Sequence, residues 1–417
     1  MSTTFSNALS GLTANAQAID IVSGNLANLN TYGYKVNTVA FQSLVNENLG
    51  GDSSKSGSVG GSTVLRSSRT FTQGSVQNTG QAYDAAVQGN GFFVLRGVKN
   101  QQVFTRAGNF KVDAGGHLLT QDGQFVQGWN AQNDILNTSG NVGDIVLPIS
   151  GLRQPTSTKT FSVTANLNTN AAVGTPEAAF SSPIPVVDSQ GITHTLTISY
   201  TKTAAGAWDY KVTIPSTQLT AGVGTTTTVA SGALVFDSLG HLKTPAVAAN
   251  PVKIAVTGLI DGAADVNLDW NLYDATGTPS LTQYSQASAN LGSTQDGSPS
   301  GQLTNMSIGI DGQILAHYSN GDAVPVAQLA LGTVLNPDSM RDLGNNTFGV
   351  TSGTSLPAIG LPGTGSRGQI SGGALETSTV DVAREFTNLL TYERGYQANS
   401  KVVTTEDEVI QATLGIK

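Results

Sequence analysis

The chain contains no cysteine. That excludes a disulfide scaffold, thiolate metal sites and a cysteine nucleophile, and it fits work outside the cytosol without reliance on oxidation. Charge is scarce as well: 12% of residues are charged and the formal net charge is −8, with no basic cluster. Neither nucleic acid nor an anionic membrane surface is therefore an expected partner. No run of about eighteen apolar residues occurs, so no membrane insertion is expected. The first residues carry no basic region followed by an apolar core, and the first lysine is Lys35. A Sec-type signal peptide is not expected, and a chain that leaves the cell needs another export route.

What is abundant is glycine, 49 of 417 residues. A turn-rich, charge-poor composition of this length suits two to four β-rich modules with many short loops, not a disordered acidic chain. Helical periodicity is confined to the two ends. From Ser378 to Leu414, the residues Val382, Phe386, Leu389, Tyr396, Val403, Ile410 and Leu414 fall on steps of four and three, with polar gaps at Glu393, Ser400 and Asp407. That is a heptad stripe, and at about 1.5 Å per residue it predicts a helix of roughly 55 Å. Ser378 to Asp381 fits a capping box at its start. At the other end Phe5, Leu9, Leu12, Ala16, Ile19 and Leu26 repeat the pattern, with Val22 alongside. A narrow apolar seam on a long helix needs a partner, and the two seams are each other's candidates. The alternative is that each terminus packs as an amphipathic helix on its own domain.

Between the ends the chain reads as β structure. The segment from Ala85 to Leu95 gives two strands joined by Gly89-Asn90-Gly91. Turns with Asp followed closely by Gly recur between apolar runs at 110–119, 187–192, 236–241 and 310–314, each a hairpin signal. Residues 50–61 have the composition of a flexible loop. A Thr/Val/Ala-rich stretch begins near residue 150 and ends near 288. In it, Thr193–Tyr200 alternates strictly and Trp208–Ile214 is a plausible antiparallel neighbour, as in a self-contained sandwich or barrel. The fold class is α+β, mainly β, with the terminal helices paired in a coiled coil and nested β-rich domains, one inserted in another. The expected divisions are a helical core of 1–30 and 375–417, an extended connecting region of 31–70, a discontinuous β domain of 71–150 and 289–374, and an inserted outer β domain of 151–288.

Signals for chemistry are weak. Gly363-Thr364-Gly365-Ser366-Arg367-Gly368 matches a dinucleotide fingerprint in letters, but it neither follows the strand of a βαβ unit nor opens a helix. His117, His194, His241 and His317 are widely spaced, with no paired carboxylate motif, and read as structural or exposed. Asp261, Asp265 and Asp269 lack the spacing of a calcium loop and read as solvent-facing residues around a turn. No nucleophile elbow occurs. No catalytic residue, no cofactor and no metal site is expected, and the chain is not read as an enzyme.

Two ordered terminal motifs carry a resemblance. The first comprises Ala8 to Leu12, Asp20, Ser23 to Asn28 with Asn25, and Asn30 to Lys35 with Gly33 and Tyr34. The second comprises Gly373 to Glu376, Val380, Asp381, Glu393, Arg394, Tyr396 to Lys401 with Gln397, Ala398 and Asn399, and Asp407 with Glu408. Together with Asp84 to Phe93, they resemble the rod, hook and hook-associated axial proteins of the bacterial flagellum. The length and the single inserted β domain, with Val187 to His194, are similar to the hook-type members and unlike the shorter rod-type ones. The resemblance implies a self-assembling helical tube outside the cell that joins rod to filament and transmits torque while bending. It further implies flagellar rod, hook cap and hook-filament junction proteins as partners, and passage through the flagellar type III export apparatus without a cleaved signal peptide. Other readings are a distal-rod or junction axial protein, or a secreted β-rich adhesin or carbohydrate-acting enzyme.

Overall fold

The computed structural model describes residues 3–45, 59–97, 99–149 and 151–414. Two long helices bracket a mainly β chain: α1, Thr3–Ala27, and α2, Val382–Leu414. The chain divides into two units, one of 1–149, 305–316 and 323–417, the other of 150–304 and 317–322.

In the first unit α1 and α2 lie side by side and antiparallel. The start of α2 departs from the expected box. Asp381, not Ser378, is the capping residue, its Oδ1 accepting from the N–H groups of Ala383 (2.9 Å) and Arg384 (3.1 Å). A carboxylate there meets the free N–H groups and positive end of the first turn. The stretch after α1 is a hairpin and not simply an extended connector: Asn37–Val45 pairs antiparallel with Val59–Arg69. Most of the glycine-serine loop expected at 50–61 lies outside the described residues, and its last three residues open the second strand of this hairpin.

The β part of this unit is an antiparallel sheet running Ala323–Leu329, Phe125–Gln132, Phe92–Arg96, Gln102–Thr105, Thr347–Gly349 and Arg341–Gly344. Its core includes Phe93, Val94, Leu95, Phe104, Val126 and Phe348, all fully buried. The two strands expected around Gly89-Asn90-Gly91 exist, as Ala85–Gln88 and Phe92–Arg96, but they do not pair with each other. Gly89 (φ +94°) and Gly91 (φ +126°) redirect the chain so that Ala85–Gln88 pairs with Gln369–Gly372. Val76–Asn78 pairs with Ala374–Glu376. The chain entering α2 is thereby stitched to the chain that follows the hairpin.

The second unit is a sandwich. One sheet is an antiparallel meander of Ala179–Val187, Thr193–Ala204, Ala207–Pro215, Thr226–Phe236 and Leu242–Thr244. The other holds Val252–Val256, Val266–Asn271, Thr160–Asn166, Leu281–Thr282 and Ala289–Gln295. Burial alternates along Thr193–Ala204, as a strand with one face on a core requires. Trp208–Ile214 pairs beside it, Tyr200 opposite Tyr210. The two sheets meet through aromatic rings: Tyr210 stands edge-on to Trp270 at 5.1 Å and Tyr200 lies tilted to it at 6.5 Å, while Phe161, beside Trp270 in the same sheet, stacks on it at 6.0 Å.

One turn recurs at four hairpins of the chain. Asp113, Asp188, Asp237 and Asp274 each use Oδ1 to accept two backbone N–H groups, two and four residues ahead. A glycine at positive φ three residues on (Gly116, Gly191, Gly240, Gly277) closes each turn. The short carboxylate replaces a backbone acceptor, and glycine takes the left-handed step without a Cβ clash.

Candidate functional site

The helix pair is where the two ends of the sequence meet. Its opposed positions are Gly11 and Asn399, Asn15 and Gly395, and Asn25 and Glu385. A Cβ on Gly11 would stand 2.9 Å from the Asn399 amide, and one on Gly395 would stand 2.6 Å from Asn15 Oδ1. The helices therefore approach closely through small residues and amides. On α1 the buried face is Ala8, Gly11, Ala14, Ala18, Val22 and Asn25. On α2 it is the buried Glu385 followed by half-buried Asn388, Leu389, Tyr392, Gly395, Asn399 and Val403.

This contact face differs from the expected seam. Of the seam residues Val22 is buried, while Phe5, Leu12, Ile19, Leu26, Leu389 and Val403 are half-buried. Leu9, Val382, Phe386, Tyr396 and Ile410 are exposed within the single chain. The Leu414 side chain lies outside the described residues. The reason is steric. A stripe of large residues holds two helices apart, whereas Ala, Gly and Asn let the backbones approach and give the amides partners. The large residues are rotated onto the flanks, where Leu390, Val402 and Val409 join them in exposure, with Phe386 at 52% and Val409 at 54%.

Where the helix pair meets the β part, a buried polar knot joins the two ends. Asn25 Nδ2 donates to Glu385 Oε2 (2.9 Å) and to the Asn37 carbonyl (2.8 Å). Asn25 Oδ1 accepts from Tyr34 Oη (3.1 Å) and from the Asn37 N–H (3.0 Å). Next to it, fully buried Lys35 donates to Glu376 Oε1 (2.6 Å) and to the Thr72 carbonyl (2.7 Å). Arg106 Nη1 reaches Glu376 Oε2 at 3.3 Å, and its Nη2 donates to the Gly89 carbonyl at 2.6 Å. Burial pulls the Lys35 ammonium below its ordinary value, with the attraction of Glu376 opposing. The same two influences act on Arg106. Burying a charge is costly unless it is paired and fully hydrogen-bonded, and here one carboxylate serves two cations.

Comparison with known proteins sets this geometry in a family. Residues 5–35 match the flagella basal body rod protein family, and 371–416 match the flagellar basal body rod FlgEFG protein C-terminal region. Residues 86–166 match the flagellar hook protein FlgE/F/G D1 domain, and 156–298 match the flagellar basal body protein FlaE D2 domain. The flagellar hook protein FlgE of Rhizobium meliloti is 33% identical over 426 residues, covering 99% of this chain and 98% of the relative. The chain belongs to the flagellar hook protein family. The hook protein of Borreliella burgdorferi is 30% identical over 445 residues, with 98% of both chains covered. That of Escherichia coli K12 is 29% identical over 424 residues, covering 99% of this chain and all of the relative. A Helicobacter pylori flagellar hook protein, FlgE2, shares the fold at a TM-score of 0.56 and 16% identity, covering 72% of this chain and all of that one.

Within this hook-family chain the terminal motif residues divide by task. Asn25, Tyr34 and Lys35 form the knot. Gly33, at φ +68°, turns the chain into it and donates its N–H to the Glu376 carbonyl at 2.8 Å. Asn28 caps locally, accepting from Thr31 Oγ1 (3.1 Å) and donating to the Gly24 carbonyl (2.9 Å). Asn399 lies in the helix contact, while Gln397, Ala398 and Lys401 are exposed on α2, as is Asn30 beyond α1. Arg106 and Glu385 were missed from the sequence, and Glu376 was seen only as a motif letter. A lone acid directly after Ala374-Leu375 was the available signal for Glu376, since a charge ending an apolar run must find a counter-charge when buried.

The carboxylates near the histidines also differ from the sequence reading. His194 has Asp188 at 2.9 Å and Asp261 at 3.3 Å. Asp261 therefore does not simply face solvent. Asp269 pairs with Lys253 at 2.7 Å. The Gly363 to Gly368 stretch leads into the strand Gln369–Gly372, not into a helix.

Proposed function

We propose that this chain is a structural subunit of the bacterial flagellar hook. It polymerises with copies of itself into a flexible helical tube that carries torque from rod to filament. The observation that carries the reading is the pair α1/α2, closed internally by small residues with large apolar side chains left uncovered at Leu9 on α1 and at intervals along α2. Fully burying a side chain such as Phe386 or Leu390 is worth about 1.5–3 kcal/mol. A stripe of them therefore favours lateral packing of many copies. Of the expected seam, Phe5, Leu9, Leu12, Ile19, Leu26, Val382, Phe386, Tyr396, Ile410 and Leu414 would act between subunits, while Val22, Leu389 and Val403 serve the pairing of α1 with α2.

The same reading places the protein outside the cell, delivered by the flagellar type III export apparatus without removal of a signal peptide. Its partners are rod, hook cap and hook-filament junction proteins at the two ends of the tube. The role is structural, not enzymatic. A cavity of about 400 Å³ in the first unit is a polar recess lined by Asn28, Tyr34, Thr105, Asn346 and the ion pair Arg69–Asp342.

Electron microscopy of the purified full chain under polymerising conditions tests the proposal. Curved tubes from the full chain, and none after removal of 1–30 or 382–417, are expected. Short junction-like rings that never extend, or unchanged behaviour after truncation, would contradict it.

A further inference from the structure

Three loops converge at one end of the sandwich: the turn 188–192, the turn after Ile214 that holds Gln218, and the loop between Val256 and Val266 that holds Asp261. They are tied to each other by backbone and side-chain hydrogen bonds. Ile260 donates to the Gln218 carbonyl (3.0 Å), Ala264 donates to Ser189 Oγ (3.0 Å), and Gln190 Nε2 donates to the Asp261 carbonyl (3.3 Å). At their meeting point is a buried histidine surrounded by acceptors. His194 Nε2 lies 2.9 Å from Asp188 Oδ2 and 3.3 Å from Asp261 Oδ2, and its Nδ1 lies 3.2 Å from Gln218 Oε1. Asp188 and His194 are buried, and Asp261 is 15% exposed.

We infer that Asp188, His194 and Asp261 form a binding site for a divalent metal ion of the zinc type. Each carboxylate has one oxygen occupied by backbone. Asp188 Oδ1 accepts the N–H groups of Gln190 and Ile192, and Asp261 Oδ1 accepts that of Ala263. The remaining oxygen of each turns to the same ring nitrogen, and the three candidate donor atoms all lie within 4.8 Å of one another. Bonds of about 2.0–2.1 Å to a tetrahedral ion put neighbouring donor atoms about 3.3 Å apart, close to the separations found here. The far side of the ring has the arrangement that metal-bound histidines use: Nδ1–H donated to the Gln218 amide oxygen fixes the tautomer and leaves the Nε2 lone pair for the ion. One nitrogen and two carboxylate oxygens suit zinc, cobalt or nickel better than calcium or magnesium. A fourth position is left for water from the partly open Asp261 side. Because Asp188 and His194 flank the turn of one sheet and Asp261 belongs to the other, the ion would staple the two sheets. Its role is to hold this end of the sandwich rigid, and it requires no chemistry.

The test uses the full chain without an affinity tag, stripped with chelator and titrated with zinc chloride by calorimetry at neutral pH. One strong site per chain is expected, together with a zinc-dependent rise in the melting temperature of the sandwich. Asp261→Asn and His194→Gln should abolish both. Gln218→Leu, which touches no metal, should weaken binding by about 10- to 100-fold. Far-UV circular dichroism checks that each variant folds. Cobalt chloride added to the unaltered chain gives a readout independent of any variant: an intense visible band from four-coordinate cobalt is expected. No saturable zinc site and only the weak spectrum of hydrated cobalt would overturn the inference, leaving His194 as a hydrogen-bonding bridge between two carboxylates. Binding that survives both Asp261→Asn and His194→Gln would overturn it too, placing the metal at the exposed turn pairs His117–Asp113 or His241–Asp237.

Discussion

The sandwich and the helix pair treat their apolar residues in opposite ways. In the sandwich Tyr200, Trp208 and Trp270 are fully buried and the alternating strands close over them. In the helix pair alanines and glycine fill the contact, while Phe386, Leu390, Val402, Val409 and Ile410 remain exposed by 42–56%. One region completes its core within the chain. The other leaves large apolar side chains uncovered, which is what the proposed packing between subunits requires. Isolated helices owe most of their stability to packing of an apolar face, so a pair with that face uncovered is marginal alone.

The largest expected effect separates these behaviours most cleanly. Phe386→Asp combined with Val409→Asp should abolish polymerisation, read by sedimentation. The melting of the sandwich should meanwhile move by no more than about 0.5 kcal/mol, the usual range for surface changes. The converse substitution is Trp270→Ala, which should cost the sandwich about 3–5 kcal/mol in urea unfolding through the lost burial and the cavity. Its tubes should still form at temperatures where the sandwich remains folded. Deleting 152–288 is the extreme version: tubes should assemble and be straighter, whereas total failure to assemble would deny the helix pair its independence.

Next comes the knot. Glu376→Ala leaves Lys35 and Arg106 buried without their counter-charge, and losing one partner of a buried ion pair costs about 3–5 kcal/mol. Denaturation followed in the first unit should show it, and the sandwich transition should not move. Smallest is the response to acid. Backbone N–H groups from His117 and His241 hold the Asp113 and Asp237 carboxylates below their ordinary range, and the Thr276 hydroxyl with the Thr278 N–H does the same for Asp274. Groups with lowered folded-state values stabilise above the unfolded value and lose that contribution as pH falls through the folded one. Stability should therefore decline below about pH 4 in the sandwich, through Asp237 and Asp274, and in the β part of the first unit, through Asp113.

Much of this contrast was legible in residues. Period-2 alternation from Thr193 to Tyr200 named a sandwich strand, and Asp followed by Gly marked the turns. The two heptad patterns located both helices and led to their pairing. The contact face was not legible, because a search for large apolar residues finds the stripe that faces outward and passes over Ala8, Gly11, Ala14 and Ala18. Within one chain, close approach of backbones decided the packing, not hydrophobic area. The Asp381 cap was hidden by a better-looking Ser378 three residues earlier. Arg106 with Glu376, and His194 with Asp261, are brought together by tertiary folding across long stretches of sequence, and no local spacing encodes them.

Hydrogen exchange at the backbone amides of 5–29 and 382–414, compared between dispersed chain and polymer, tests the central claim most directly. Rapid exchange in dispersed chains and strong protection in the polymer, with the sandwich protected in both, is the predicted result. Equal protection of the two helices in both states would contradict it, since helices already stable alone would not need their neighbours.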